Sequence, residues 1–397
     1  MPGNDSSTID RREFALRFLQ LAAALALPMR AVGAVAPGPF DVIVRRDVMV
    51  AMRDGVRLAT DLYLPARSGE PVAARFPAIL ERTPYGKSQP TARHASIEVA
   101  MMLASHGYVV AYQDCRGRGK SEGKYVKYLS DAFDGYDCCA WIVAQPWNNA
   151  RIGTMGLSYA AHTQGALASA GAPGVFAMFM DSGGFSDAYQ GGIRQGGAFE
   201  LKQVTWAFSE VLEAPEVKRD PEKFAAMKAI DLKQWFANMP WARGHSPLSP
   251  VPEYEAYVFD QWEHGNFDGY WKQPGLYARG YYNEYCDAAT MLISSWYDPY
   301  PRTITDNFVG LSSRKRGPIR MVLGPWTHGN REQTFAGDAD FGAAAAFEGH
   351  VAPSYLEMRL RWFNRFLKGE RNGVDAEPIV RLFVMGGGSG RRNAQGR

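Results

Sequence analysis

The sequence predicts an α/β protein built on a mostly parallel sheet covered on both faces, and three observations predict it. Continuous apolar runs of strand length alternate with stretches at helical spacing. One run, Ile152-Gly-Thr-Met155, passes through Gly156 and Ser158 straight into a small-residue helical pattern carried by Ala160, Ala161, Gly165, Ala166 and Ala168, which reads as strand, sharp turn and helix. Three strand ends offer Ser158, Asp298 and His328, in that order.

Taken from the start, residues 1–36 read as an export signal. Arg11 and Arg12 are paired, an apolar run follows from about Phe18 to Pro28, and Ala34-Val-Ala36 has the form of a cleavage site, so twin-arginine export and a periplasmic location are expected. The apolar run is short for a membrane span, which needs about 20 residues.

Residues 37–186 carry the first part of the sheet. Alternating runs through Phe40–Val44 and Val48–Met52 meet Val56–Leu64 across Asp54-Gly55, the signature of an antiparallel hairpin. Phe76–Thr83 is a continuous apolar strand that leaves Tyr85 just past its end, where binding groups of open α/β sheets gather. A helix over Ile97–Ser105, a strand over Tyr108–Gln113 and a helix over Asp131–Ala144 follow. Between the last two, Gly119-Lys-Ser121 invites a phosphate-loop reading. That loop needs glycine five residues before Gly119, where this chain has Asp114, so a structural glycine-rich turn is expected.

Residues 187–284 change character. They are rich in Trp, Tyr, Phe, Gln and Pro, with helical stretches near Phe199–Glu213, Pro221–Ile230 and Val251–Trp262, and they read as a helical cap inserted over the carboxyl edge of the sheet. Its tryptophans 206, 235, 241, 262 and 271 are expected mostly to pack against one another. Strand patterning resumes in residues 285–372, with strands at Ala289–Trp296 and Pro318–Leu323 and helices over Arg302–Leu311 and Tyr355–Leu367. Residues 373–397 hold one more strand, Ile379–Met385.

At 397 residues, 46% hydrophobic and 21% charged, the chain can bury a large core. Its net charge of +3, with no basic block beyond Arg314-Lys-Arg316, argues against a nucleic-acid partner. Cys115, Cys138, Cys139 and Cys286 form no C-x-x-C pair and no metal-like spacing with histidine, so buried free thiols are expected and no metal or other cofactor is implied.

The chemistry follows from the three strand ends. A serine hydroxyl is a poor nucleophile until an imidazole takes its proton, and the imidazole needs a buried carboxylate to fix its tautomer. His328 follows a buried strand within a glycine-flanked turn, whereas His106, His162, His245, His264 and His350 fall in helices or in the insertion. Asp287 and Asp306 compete with Asp298 but lie before the strand and inside the next helix. The order Ser, Asp, His is that of the α/β-hydrolase architecture.

Five stretches, Arg82-Thr-Pro-Tyr-Gly86, Asp114–Gly119, Gln145–Asn148 with Gly156-Leu-Ser-Tyr159, Trp296-Tyr-Asp-Pro299 and Leu323–His328, together resemble the X-Pro dipeptidyl-peptidase and cocaine esterase family, the CocE/NonD hydrolases. The resemblance implies an α/β-hydrolase core and a serine hydrolase that cleaves an ester, amide or short peptide through an acyl-enzyme. Ser158 would be the nucleophile, Asp298 the orienting acid, His328 the base, and the Tyr159 N–H with the Tyr85 hydroxyl the oxyanion hole. Two departures stand out. The family normally has glycine where this chain has Ala160 or Ala161, and the strand at 379–385 is expected to be the first of a truncated C-terminal jelly-roll. Related α-amino-acid ester hydrolases hold a substrate ammonium with carboxylates just after the acid. Here the chain reads Asp298-Pro-Tyr-Pro301, so Tyr300 is expected as an aromatic wall for an apolar or aromatic acyl group. The alternative is a catalytically silent ligand-binding protein on the same scaffold.

Overall fold

The computed structural model describes residues 35–88 and 95–396, so the twin-arginine motif and the apolar run after it lie outside the described residues. The expected hairpin is formed by β1 (Asp41–Ala51) and β2 (Arg57–Arg67), which pair antiparallel with a bulge between Arg45 and Val48. The sheet continues through β3 (Phe76–Thr83), β4 (Val109–Asp114), β5 (Asn148–Leu157), β6 (Val175–Asp181), β7 (Ala289–Tyr297), β8 (Ile319–Thr327) and β9 (Val380–Leu382). Their order is β1-β2-β4-β3-β5-β6-β7-β8-β9, with β2 antiparallel to β1 and β4 and all later neighbours parallel.

Adjacent residues along each strand face opposite sides, and here both sides are apolar. Leu80, Ala111, Met178, Leu292 and Leu323 face one core, which is covered by α2 (Asp131–Val143), α3 (Tyr159–Ser169) and α7 (Pro301–Ser312). Their immediate neighbours Ile79, Val110, Phe179, Ile293 and Val322 face the other, under α1 (Ile97–Ser105) and α8 (Tyr355–Lys368). This double burial is what turns the strands into unbroken hydrophobic runs. All four cysteines are buried and free. Among the described residues, no helix is long and apolar enough to cross a membrane.

The strand expected at 379–385 is present in part, as Val380–Leu382. Three residues of it pair parallel with β8 at the edge of the central sheet, with the Met321 N–H donating to the Ile379 carbonyl at 2.9 Å and the Phe383 N–H to that of Leu323 at 2.8 Å. It extends the central sheet and covers the row of backbone groups that β8 would otherwise leave unpaired.

Between β6 and β7 lies the cap, with α4 (Lys202–Val211), α5 (Pro221–Lys228) and α6 (Pro252–Glu263), two shorter helices at Pro215–Lys218 and Leu232–Ala237, and a pair of two-residue strands, Arg194–Gln195 and Ala198–Phe199. It has its own core, in which Val204, Val211, Met227, Tyr254, Val258 and Trp271 are buried together. Trp235, Trp241 and Trp262 pack on aromatic neighbours, as expected of most of these tryptophans, while Trp206 reaches the cavity described below.

One guanidinium ties cap to sheet. Arg118, from the glycine-rich turn, donates through Nε to the Pro84 carbonyl at 2.8 Å and through Nη2 to Glu210 of α4 at 2.5 Å, and it also binds the hydroxyl of Tyr254 in α6. The turn itself is structural, as expected. The Asp114 carboxylate accepts from the Lys120 N–H at 3.0 Å, and a Cβ on Gly119 (φ +55°) would lie 2.2 Å from that carboxylate. Arg118→Ala leaves the buried Glu210 carboxylate unpaired and is expected to destabilise the fold by about 3–5 kcal/mol. The midpoint of urea unfolding checks this, and an unchanged midpoint would refute it.

Candidate active site

Ser158 caps the helix that follows β5 with φ 59° and ψ −119°, a left-handed conformation that costs a non-glycine residue about 1–3 kcal/mol. The surroundings over-determine it. Its N–H donates to the Asp181 carbonyl at 2.9 Å, and its own carbonyl accepts from Ala161 and His162 at 2.9 and 3.1 Å. The hydroxyl makes no capping bond to its own helix, which leaves it available to the cavity. Gly156 (φ +145°) is required by space as well, since a Cβ there would meet the Ala160 Cβ at 2.4 Å. Ala160 and Ala161 lie inside α3 without positive φ, so the turn asks these positions for small volume and not for glycine's dihedral freedom.

Asp298 follows β7 in a turn closed by the Tyr300 N–H, which donates to Oδ1 at 2.8 Å. Its other oxygen, Oδ2, lies 2.6 Å from Nδ1 of His328 at the end of β8. The carboxylate is fully enclosed (0% exposed), while the imidazole keeps 36% of its surface open. An Nδ1–H held by a carboxylate leaves Nε2 as the acceptor. The chain after His328 is pinned to the end of β6: Arg331 pairs with Asp181 at 2.6 Å and lies 3.6 Å from the Tyr355 ring centroid, and the Tyr355 hydroxyl donates to the same carboxylate at 2.7 Å.

Tyr85 sits just past β3, its N–H bonded to the Thr83 hydroxyl at 3.2 Å. Its own hydroxyl accepts from the Trp206 indole at 3.3 Å and is hydrogen-bonded to Ser158. Burial pushes the phenol up to about 12, against the lowering effect of those two bonds, so it remains a neutral donor across the physiological range. Tyr159 is the first residue of α3, where a backbone N–H has no acceptor within the helix. Its side chain is an anchor: the hydroxyl donates to Asp131 at 2.8 Å and accepts from the Tyr128 N–H at 2.9 Å.

Ser158, His328, Tyr85, Tyr159 and Tyr300 line one cavity of about 290 Å³, with Asp298 directly behind the imidazole. All six residues singled out in the sequence therefore meet in one place. A hydroxyl, an imidazole oriented by an enclosed carboxylate, a buried phenol and the first N–H of a helix form a set suited to acyl transfer. His162, by contrast, is a packed core histidine whose Nδ1 accepts from the Gly184 N–H at 2.9 Å and whose pKa burial drives well down. Among the described residues, no group of three or more His, Cys, Asp or Glu side chains is placed to hold a metal ion.

Sequence reasoning did not single out Lys127, Lys202 and Gln203, which also line the cavity. Nothing in the spacing separates Lys127 from the exposed Lys124 three residues earlier, because its burial is imposed by the cap, which is distant in sequence.

Comparison with known proteins agrees with this geometry. A family model described as X-Pro dipeptidyl-peptidase (S15 family) matches residues 54–330. The cocaine esterase of Rhodococcus sp. (strain MB1 Bresler) is 32% identical over 351 residues, which is 86% of this chain and 58% of that protein. The chain thus spans well under two thirds of that relative's length. An aminopeptidase from a Thaumarchaeota archaeon of marine sediment superposes with a TM-score of 0.64 at 20% identity, covering 91% of this chain and 60% of that one. A CocE/NonD family hydrolase from Staphylococcus aureus gives 0.60 at 20% identity, covering 90% and 58%. Both structures share the fold.

Proposed function

The chain belongs to the X-Pro dipeptidyl-peptidase (S15) family, and from that membership and the cavity's geometry we propose that it is a serine hydrolase cleaving a carboxylic ester or amide through an acyl-enzyme. The observation that carries this reading is the 2.6 Å contact between His328 Nδ1 and the enclosed Asp298 carboxylate, on the cavity that Ser158 lines. In the proposed reaction, Nε2 of His328 takes the Ser158 proton as Oγ attacks the carbonyl carbon. The oxygen that becomes negative is met by the Tyr85 O–H and the Tyr159 N–H, and Asp298 stabilises the imidazolium. The imidazolium then protonates the leaving alcohol or amine, and water, activated by the same imidazole, releases the acid.

Tyr300, Tyr128 and Trp206 give the cavity aromatic walls, which supports an acyl group with an apolar or aromatic body. A clear preference for aminoacyl esters would count against that. A fluorophosphonate probe tests the reading as a whole, since it should modify Ser158. Failure to label, or labelling at another serine, removes the proposal and favours a ligand-binding role. Tyr85→Phe should lower kcat for aryl esters by about 100- to 1,000-fold while leaving Ser158 open to the probe, because it removes one oxyanion donor and keeps the ring. A loss below about 10-fold would assign that donor elsewhere. The proposal includes twin-arginine export with processing near Ala36, supported by the pair Arg11-Arg12 and tested by N-terminal sequencing of the mature protein.

A further inference from the structure

The cavity has an unusual charge balance. The described residues that line it include two amines, Lys127 and Lys202, and no carboxylate. Lys127 is 2% exposed. Its Nζ donates to Oε1 of Gln203 at 2.9 Å and lies 3.5 Å from the Trp206 ring centroid. The Gln203 amide is fixed in that sense, because its NH2 donates to the Gly192 carbonyl at 3.2 Å. The acidic groups that act on the two amines are engaged: Glu210 by Arg118, Glu200 by Lys202 itself and Asp298 by His328. Burying an ammonium against a neutral amide and a ring is costly when no opposite charge completes the pair. Lys202, at the first turn of α4, lines the same cavity, with its Nζ 4.9 Å from the centroid of Tyr300.

Resting on the hydrolase reading above, we propose that the substrate carries a carboxylate close to the scissile bond, and that Lys127 and Lys202 bind it beside Ser158. A carboxylate beside the two amines gives Lys127 the counter-charge the fold withholds, while an ammonium placed there finds no carboxylate on the cavity wall. Burial pulls the Lys127 amine well below the usual lysine value, Glu210 opposes this and Lys202 adds to it, so an arriving anion favours the protonated form. The apolar body of the substrate lies against Trp206 and the tyrosines, and the anion is read at the edge.

Three aryl esters of matched length separate the possibilities: 4-nitrophenyl glutarate with its free carboxylate, neutral 4-nitrophenyl pentanoate and cationic 4-nitrophenyl 5-aminopentanoate. The carboxylate ester should have a kcat/KM at least about 10-fold above the neutral one, with the cationic ester lowest, as expected for a charge-assisted hydrogen bond gained. Comparing 3-acetoxybenzoate with 3-acetoxybenzamide places the carboxylate on the leaving-group side instead. Either preference supports the proposal, and its absence from both pairs overturns it. In Lys202→Met, and in Lys127→Met if that buried substitution folds, the ratio of carboxylate to neutral ester should fall towards one. An unchanged ratio in Lys202→Met overturns the assignment.

Binding is read independently of turnover by calorimetry on Ser158→Ala, with 4-phenylbutyrate against 4-phenylbutanamide. Tighter binding of the acid by about 10-fold supports the anion site even if no ester is cleaved, an outcome that would remove only the hydrolase reading. Equal binding overturns the anion site even if esters are cleaved.

Discussion

Ser158→Ala is expected to lower kcat for aryl-ester hydrolysis by about a million-fold and to abolish fluorophosphonate labelling, with the fold intact. The size follows from how the parts depend on one another. Without the hydroxyl, His328 and Asp298 have no proton to move on the substrate's behalf, and only the two oxyanion donors and the binding surface remain to assist water. Loss of fold is not the expected route, because the Ser158 side chain makes no cap bond and the turn is held by backbone contacts to Asp181, Ala161 and His162. Activity above about 1% of wild type in the purified variant would show that another group is the nucleophile.

Asp298→Asn should cost about 10,000-fold in kcat while changing the shape of the site very little. The direction is set by the two partners of the carboxylate. The Tyr300 N–H at Oδ1 demands an acceptor, so an asparagine must turn its oxygen there and present its NH2 to His328. Nδ1 then becomes an acceptor, the ring proton moves to Nε2, and the imidazole can no longer take a proton from Ser158. Steady-state kinetics beside a thermal melt reads this outcome. A variant that melts like wild type but loses less than about 10-fold would mean that the carboxylate does not orient the base.

The fold was legible in the sequence wherever burial is two-sided. Ile79-Leu80, Val110-Ala111 and Val322-Leu323 face opposite cores, so their strands appear as unbroken apolar runs without reference to any partner. Ser158, Asp298 and His328 were legible because each ends such a run, and the run fixes its height at the sheet's edge. What sequence could not show depends on partners far along the chain. The residues around Val380 are an apolar stretch whose strand character is visible, but that they pair with Met321–Leu323 is decided by an open sheet edge. Arg118 reads as one more charge in a glycine-rich turn until Glu210 and Tyr254 fold down upon it. Lys127 looks solvated until α4 covers it. Alanine at 160 looked like a departure at the turn because the pattern does not say whether a small residue is needed for its dihedrals or for its volume.

The helix Lys202–Val211 supplies both Lys202 and Trp206 to the cavity, and the indole of Trp206 donates to the Tyr85 hydroxyl at 3.3 Å. The two positions are therefore unequal as points of adaptation. On the proposed reading, a mutation at 202 changes which compounds are accepted, at a side chain that makes no direct hydrogen bond to the proposed nucleophile, base or oxyanion donors. One at 206 removes a hydrogen bond to Tyr85, the proposed oxyanion donor, so on that reading a new preference acquired there comes with a change of pace on every compound, old and new. Divergence of substrate range within this scaffold should therefore run more freely through the first turn of that helix than through its second.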